Sequence, residues 1–371
     1  MELAGRIRWL ALAGPLALAA AGALAQPAPP GVALAARAPA EPMARPPVER
    51  SCPADAGRTT AAAGPAWYRL EPLLDASGAL AGQRLTVGAA SARWSVSLPP
   101  ESFASGPVGG RVLVGDDDGQ RSRLRTLDAA LGCWTTVATS SDVVRSAVLA
   151  PGGARAYEHR VDRATRLDLG VWARDLATAE AAPLVAGLPA DPEYGVTFST
   201  SVLAVDDGRV VVSACGERAC RTRVVDPVTG RSSTAAGTGP AVGLADQRLV
   251  VLEACDGLPC AIDSIDLASG DSTRLGEANG AAVVAPGGAG AIVLMGGGRL
   301  GVLRLGGQTS ETGVQGSAGL APILAASTAE SGAEAPDGSV AVAPGGRVTD
   351  PTAIRFLDPS SLQLSAGEVL P

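Results

Sequence analysis

Six cysteines, one histidine and a short run of aspartates are the side chains of this 371-residue sequence with the most chemical potential. Four of the cysteines sit in two copies of one pattern at an offset of forty residues, 210–230 (VVVSACGERACRTRVVDPVTG) and 250–270 (VVLEACDGLPCAIDSIDLASG). Each copy reads as a β-hairpin with a cysteine on either side of its tip. If each four-residue tip closes a hairpin, Cys215 faces Cys220 and Cys255 faces Cys260 across the ladder. Directly opposed Cα atoms lie about 4.5 Å apart, just inside the disulfide range. By elimination Cys52 pairs with Cys133, which would pin the segment before the first repeats to an outer strand. The alternative, zinc or an iron–sulfur cluster on four thiolates, needs ligand convergence that neighbouring hairpins splaying apart would not supply.

The remaining constellations read as turns. His159 is the single histidine and lies in a charged stretch (YEHRVDRATR), so a multi-histidine metal site is impossible. No G-x-S-x-G elbow accompanies it, and a polar loop position is the expectation. Asp116, Asp117 and Asp118 could ligate calcium, but no acidic residue twelve positions into the motif completes a binding loop, and a hairpin tip explains them. Residues 296–301 (GGGRLG) match G-x-G-x-x-G in letters. They are followed by another strand-like run, where a dinucleotide site needs a helix N-terminus. The basic run Arg155, Arg160, Arg163 and Arg166 reads as a solvated loop. The reading therefore names no catalytic, metal or cofactor-binding residue and no cofactor.

The elements that must carry these residues repeat. A period of about 40 to 45 residues with several short strands per unit is that of β-propeller blades, since one blade cannot bury its faces alone. Gly- or Pro-rich turns precede apolar strands at Gly109-Gly110, Pro151-Gly152-Gly153, Asp207-Gly208, Asp246-Gln247, Pro286-Gly287-Gly288 and Pro336-Asp337-Gly338. A second joint follows one hairpin later, opened by Asp128, Asp175, Asp226, Asp266 and Asp358, where Asp accepts from its own turn. Residues 67–98 supply strands for a seventh unit. The expected fold is all-β: a single β-propeller of four-stranded antiparallel blades, seven in number, with six or eight also compatible. Closure is expected from the two ends of the chain, with residues 83–98 beside residues 353–364.

Residues 93–98 (RWSVSL), 110–119 (GRVLVGDDDG) and 127–134 (LDAALGCW) together resemble one repeat of the pyrroloquinoline-quinone-type propellers. Turns such as Pro336-Asp337-Gly338 are similar to those of periplasmic Tol-type and WD-repeat-like propellers. The first resemblance covers about one blade and the second only turns. It implies that Trp94 and Trp134 take the outer-strand tryptophan position. Later blades carry Ser232 and Ser272 in that neighbourhood, and nothing matches a quinone or calcium dehydrogenase site. What the resemblance implies is fold, not cofactor.

Arg6 and Arg8, an apolar run over residues 10–24 and Ala23-Leu24-Ala25 read as a secretory signal peptide, residues 1–25. Residues 26–49 read as a Pro/Ala-rich disordered linker, and residues 50–371 as the propeller. Net charge is −7, lysine is absent and aromatics are scarce, which argues against nucleic acid. No membrane span is expected once the signal is cleaved. The expected protein is an exported monomer, periplasmic or extracellular. Its expected function is that of a non-catalytic platform for a protein or small-molecule partner. The alternative is a lyase or hydrolase using carboxylates and arginines at the central channel.

Overall fold

Short apolar runs rich in Val and Leu, cut by glycine and aspartate turns, favour strands over helices. The computed structural model describes residues 48–52, 65–89, 92–187, 199–206, 209–215, 220–237, 239–245, 247–253, 258–279, 282–285, 290–305, 310–323, 329–336 and 338–366. Among them are 29 strands and a single 3-10 turn at Pro351–Ala353. The strands form seven antiparallel blades, so the chain is a seven-bladed β-propeller.

β1 (Val48–Ser51) precedes the first blade. Blade 1 contains β2 (Ala66–Leu74), β3 (Leu80–Ala89) and β4 (Ala92–Leu98). Blade 2 contains β5 (Phe103–Val108), β6 (Arg111–Asp117), β7 (Ser122–Asp128) and β8 (Cys133–Ser140). Blade 3 follows with β9 (Val143–Leu149), β10 (Arg155–Val161), β11 (Asp168–Asp175) and β12 (Ala181–Val185). Blade 4 has β13 (Ser199–Asp206), β14 (Arg209–Cys215), β15 (Cys220–Val225) and β16 (Ser232–Gly237). Blade 5 has β17 (Ala241–Ala245), β18 (Arg248–Leu252), β19 (Cys260–Asp266) and β20 (Ser272–Ala278). Blade 6 has β21 (Ala282–Val284), β22 (Ala291–Gly296), β23 (Arg299–Arg304) and β24 (Ser310–Gly313). The last strands are β25 (Leu320–Pro322), β26 (Ser331–Ala333), β27 (Val340–Pro344), β28 (Arg355–Asp358) and β29 (Gln363–Ala366).

Because strand side chains alternate, each blade offers one apolar face to each neighbour. Seven buried clusters result, one per seam. Tyr68, Leu85 and Val87 meet Val112, Val114 and Leu127 between blades 1 and 2. Tyr157 and Val171 meet Val202 and Val210 between blades 3 and 4. The seventh cluster joins the last blade to the first, with Ile354 and Phe356 packed against Trp67. A cluster at that seam means the ring is closed.

The closing element corrects the expectation. β28 and β29 are the outer strands of blade 7, in the order β25, β27, β28, β29, and residues 83–98 do not pair with them. Instead, the connection between β25 and β27 leaves its blade and lays β26 against β2, with Trp67 opposite Ala333 and Arg69 opposite Ser331. Several bonds hold it there. Glu334 accepts from Gly109 and Gly110 N–H at 2.8 and 3.0 Å. Val348 N–H donates to Ser331 Oγ, and Tyr68 Oη reaches both Ala104 O and Ala329 O. Gly332 admits no side chain, since a Cβ there would stand 2.2 Å from Gly106 O and 2.4 Å from the Tyr68 ring.

β1 lies parallel to β8, turning blade 2 into a five-stranded sheet. Its first residue falls two positions inside the stretch read as linker. Trp94, on the outer strand of blade 1, donates its indole N–H to Ala129 O at 3.0 Å. It also covers Gly132 of blade 2, where φ is +62° and a Cβ would lie 2.3 Å from the ring.

Candidate functional site

The cysteines are structural. Cys52 and Cys133 form a disulfide across 81 residues, at the rim of blade 2 beside β1. Cys215 and Cys220 are opposed in the β14–β15 register and joined. Cys260 is disulfide-bonded as well, while Cys255 lies outside the described residues. No group of three or more His, Cys, Asp or Glu able to hold a metal occurs among the described residues.

The three aspartates of blade 2 have separate partners. Asp116 is buried and bonds Arg123 Nε at 2.8 Å and Arg125 Nη2 at 2.5 Å. Asp118 accepts from the N–H groups of Gln120 and Arg121 within its turn. Asp117 takes a two-pronged bond from Arg163 of blade 3, at 3.0 and 2.6 Å, and another from Ser122 Oγ. The Arg163 bonds outweigh the cost of burial and hold the Asp117 carboxyl at about 2. It therefore stays ionised near neutrality and has no proton to donate. Gly297 and Gly298 turn β22 into β23 with φ of +54° and +76°, the geometry of a two-residue hairpin.

Two expectations for the basic stretch are corrected. His159 is on β10 rather than in a loop, 9% exposed and 3.1 Å from Asp168. Arg160 is also buried, because strand alternation turns it toward Glu158 and stacks it 4.4 Å over Trp172. Glu158 accepts from Arg160 and Arg174 together, a buried triad of two cations and one anion. Arg163 belongs to Asp117 as described. Three consecutive polar residues, Glu158, His159 and Arg160, break any apolar alternation there, so the sequence carried no local sign that this stretch is a buried strand.

One opening among the described residues with room for a ligand is a cavity of about 400 Å3 where three neighbouring inner strands start. These are β5 at Phe103, β9 at Val143 and β26, preceded by Ala329 and Glu330. It lies on the face that carries the β6–β7 and β10–β11 hairpins. Leu70, Phe103, Ala104, Val143 and Val144 supply its apolar surface. Glu101, Asp117, Arg145 and Glu330 supply its charge. Arg145 stands 3.4 Å from Glu101, and Arg347 2.9 Å from Glu330. Gln83 donates to Pro100 O and Ser102 O, bracing the connection that leads into β5. A further crevice of about 10 Å3, in the seam of blades 3 and 4, has room for one water.

No family model matches the sequence, and no curated protein matches it. Solved structures are similar in fold. TolB from Acinetobacter baumannii aligns with a TM-score of 0.44 and 10% identity, over 69% of this chain and 64% of that one. An oligogalacturonate lyase in complex with manganese aligns at 0.47 and 15%, over 81% and 84%. A prolyl endopeptidase aligns at 0.48 and 13%, over 77% of this chain and 46% of its own length. The chain spans under two thirds of the TolB and endopeptidase chains, and at such identities chemistry does not transfer. No helix among the described residues is long and apolar enough to cross a membrane.

Proposed function

We propose that this protein is an exported, non-catalytic β-propeller that binds a partner or small ligand at the mouth formed by β5, β9 and β26. The observation that carries the reading is the cavity of about 400 Å3, lined by apolar and polar groups in similar measure, with the exposed charges of Glu101, Arg145 and Glu330 at its rim. That composition suits non-covalent docking, in which buried apolar area supplies affinity and a few polar groups set orientation. Each acid at the rim faces an arginine, and Asp117 is locked ionised, an arrangement made for holding charge in place rather than for relaying protons.

Export is proposed from the leader, with cleavage before Gln26, and from the disulfides, which persist in oxidising compartments. The docked blade-1 tryptophan supports kinship of blades 1 and 2 with the quinoprotein-type repeat. A monomer is proposed with them, because every seam is already filled within one chain. The test is site-specific photo-crosslinking in the native compartment. A photo-reactive residue in place of Arg145 is expected to give one discrete adduct, and one in place of exposed Val228 none. Equal adducts at both positions, or none at Arg145, would overturn the reading.

A further inference from the structure

We propose that the β2–β3 hairpin is a docking finger for a protein partner that offers an apolar cleft with an arginine or lysine at its floor. This goes beyond the cavity mouth, and the two stand or fall separately. Unequal strand lengths build the finger. β26 accompanies β2 only as far as Arg69, with one further bond from Leu70 N–H to Glu330 O, and β4 accompanies β3 only from Gln83 onward. Beyond those points neither edge of the hairpin has a neighbouring strand among the described residues. Four residues of β2 carry the tip about 13 Å past its neighbours, at roughly 3.3 Å per residue.

The surface of this finger differs from the neighbouring tips. Pro72, Leu74, Ala76, Ala79, Leu80 and Ala81 are all exposed, Leu74 at 62% and Leu80 at 48%. Alternation sets Leu70, Pro72 and Leu74 on one face of β2, so an apolar stripe rises from the cavity wall at Leu70 and ends where Leu74 pairs with Leu80. By contrast, the β6–β7 tip carries Asp118 and Arg121, and the β10–β11 tip carries Asp162, Arg163 and Arg166. Charge is the usual means of blunting a free strand edge, and a contiguous apolar projection marks an interaction site.

Asp75, in the turn, selects the occupant. Its Oδ1 accepts from Ser77 Oγ, Ser77 N–H and Ala79 N–H, and these bonds, the Ser77 hydroxyl above all, hold the carboxyl below the usual range. The tip thus carries one fixed negative charge among apolar side chains. A bilayer would have to take that carboxylate first, and residues 71–82 contain no aromatic and no basic residue to hold the interface. A second copy presents the same finger under two-fold symmetry and sets Asp75 against Asp75. A protein cleft with a cation at its floor covers the leucines and pairs the charge at once.

The test is photo-crosslinking from the finger in the native compartment, with purified protein added as competitor. A photo-reactive residue in place of Ala76 is expected to give one adduct with a different protein, which excess wild type suppresses. Leu74→Ser combined with Leu80→Ser should compete about tenfold less well, the scale of lost leucine burial. Asp75→Asn keeps the turn acceptor but not the charge, and should compete several-fold less well. Both variants alter exposed positions and should leave Tm unchanged. On the partner, the crosslinked segment should lie beside an arginine or lysine. Vesicles of phosphatidylethanolamine and phosphatidylglycerol should not sediment the protein. An adduct of twice the chain's own mass, vesicle binding that the leucine variant loses, variants that compete as well as wild type, or no adduct at all would each overturn the inference. If position 76 is silent while position 145 crosslinks, the finger fails and the platform stands. The reverse result removes the mouth and leaves the finger.

Discussion

At the scale of single residues, the charges of this protein are spent on holding strands together. Glu158 is fully buried between Arg160 and Arg174, so removing its charge strands two cations away from water. Glu158→Gln is expected to cost about 3 kcal/mol, the usual penalty for breaking a buried pair, read as a lower urea midpoint. Acid should act through another group. The Asp117 carboxyl is lowered to about 2 in the folded protein, by Arg163 above all, and returns to about 4 when unfolded. A depressed folded value means that its contribution is complete above pH 4 and is lost as pH falls toward 2. Asp358, lowered to about 2 by Ser360 and Ser361, acts in the same direction. Urea midpoints measured from pH 6 to pH 2.5 should fall less steeply below pH 4 in Asp117→Asn than in the wild type. Parallel curves would show that the Arg163 pair does not couple to folding.

At the scale of elements, the decisive piece is β26, three residues that complete blade 1 from within a connection of blade 7. Its seat depends on Gly332 having no side chain. Gly332→Val is expected to unseat the strand, expose the edge of β2 and lower Tm by about 10 °C or more, with aggregation on heating. Hydrogen exchange should locate the opening at Trp67, Tyr68 and Arg69, whereas an unchanged exchange pattern would mean that β26 contributes little to closure. Removing residues from Ala353 onward has a different consequence. It strips β28 and β29 and uncovers the seam around Trp67, but leaves β26 in place.

At the scale of the whole molecule, seven buried seams close the ring, and a long-range disulfide ties β1 to the outer strand of blade 2. The Cys52–Cys133 bridge closes 81 residues, whereas Cys215–Cys220 closes five. Loop entropy assigns them about 4.5 and 2 kcal/mol respectively. Cys133→Ser is therefore expected to lower the denaturation midpoint about twice as much as Cys220→Ser, and it also frees β1 from the rim of blade 2. Equal losses would place the value of the long bridge in local packing instead.

Much of this architecture was legible from local chemistry. The forty-residue offset, the aspartate joints and the glycine turns encode hairpins of fixed size, and hairpins of one size with apolar faces must stack, which leads to a propeller of about seven blades, with six or eight also compatible until the structure counts them. The opposed cysteines of one hairpin were legible for the same reason, since their partnership depends only on neighbours in sequence. Three things were not. Ser331-Gly332-Ala333 carries no apolar alternation, so nothing local marks it as a strand, and only the vacant edge of β2 makes it one. His159 and Arg160 look solvated until a blade face covers them. The cavity draws Leu70, Ser102, Val143 and Glu330 from four separated segments. Sequence by itself determined the repeat, because a hairpin is settled by a few adjacent residues. Tertiary structure alone decided where the ring closes and where a ligand could sit, because both depend on which inner strands meet around the axis.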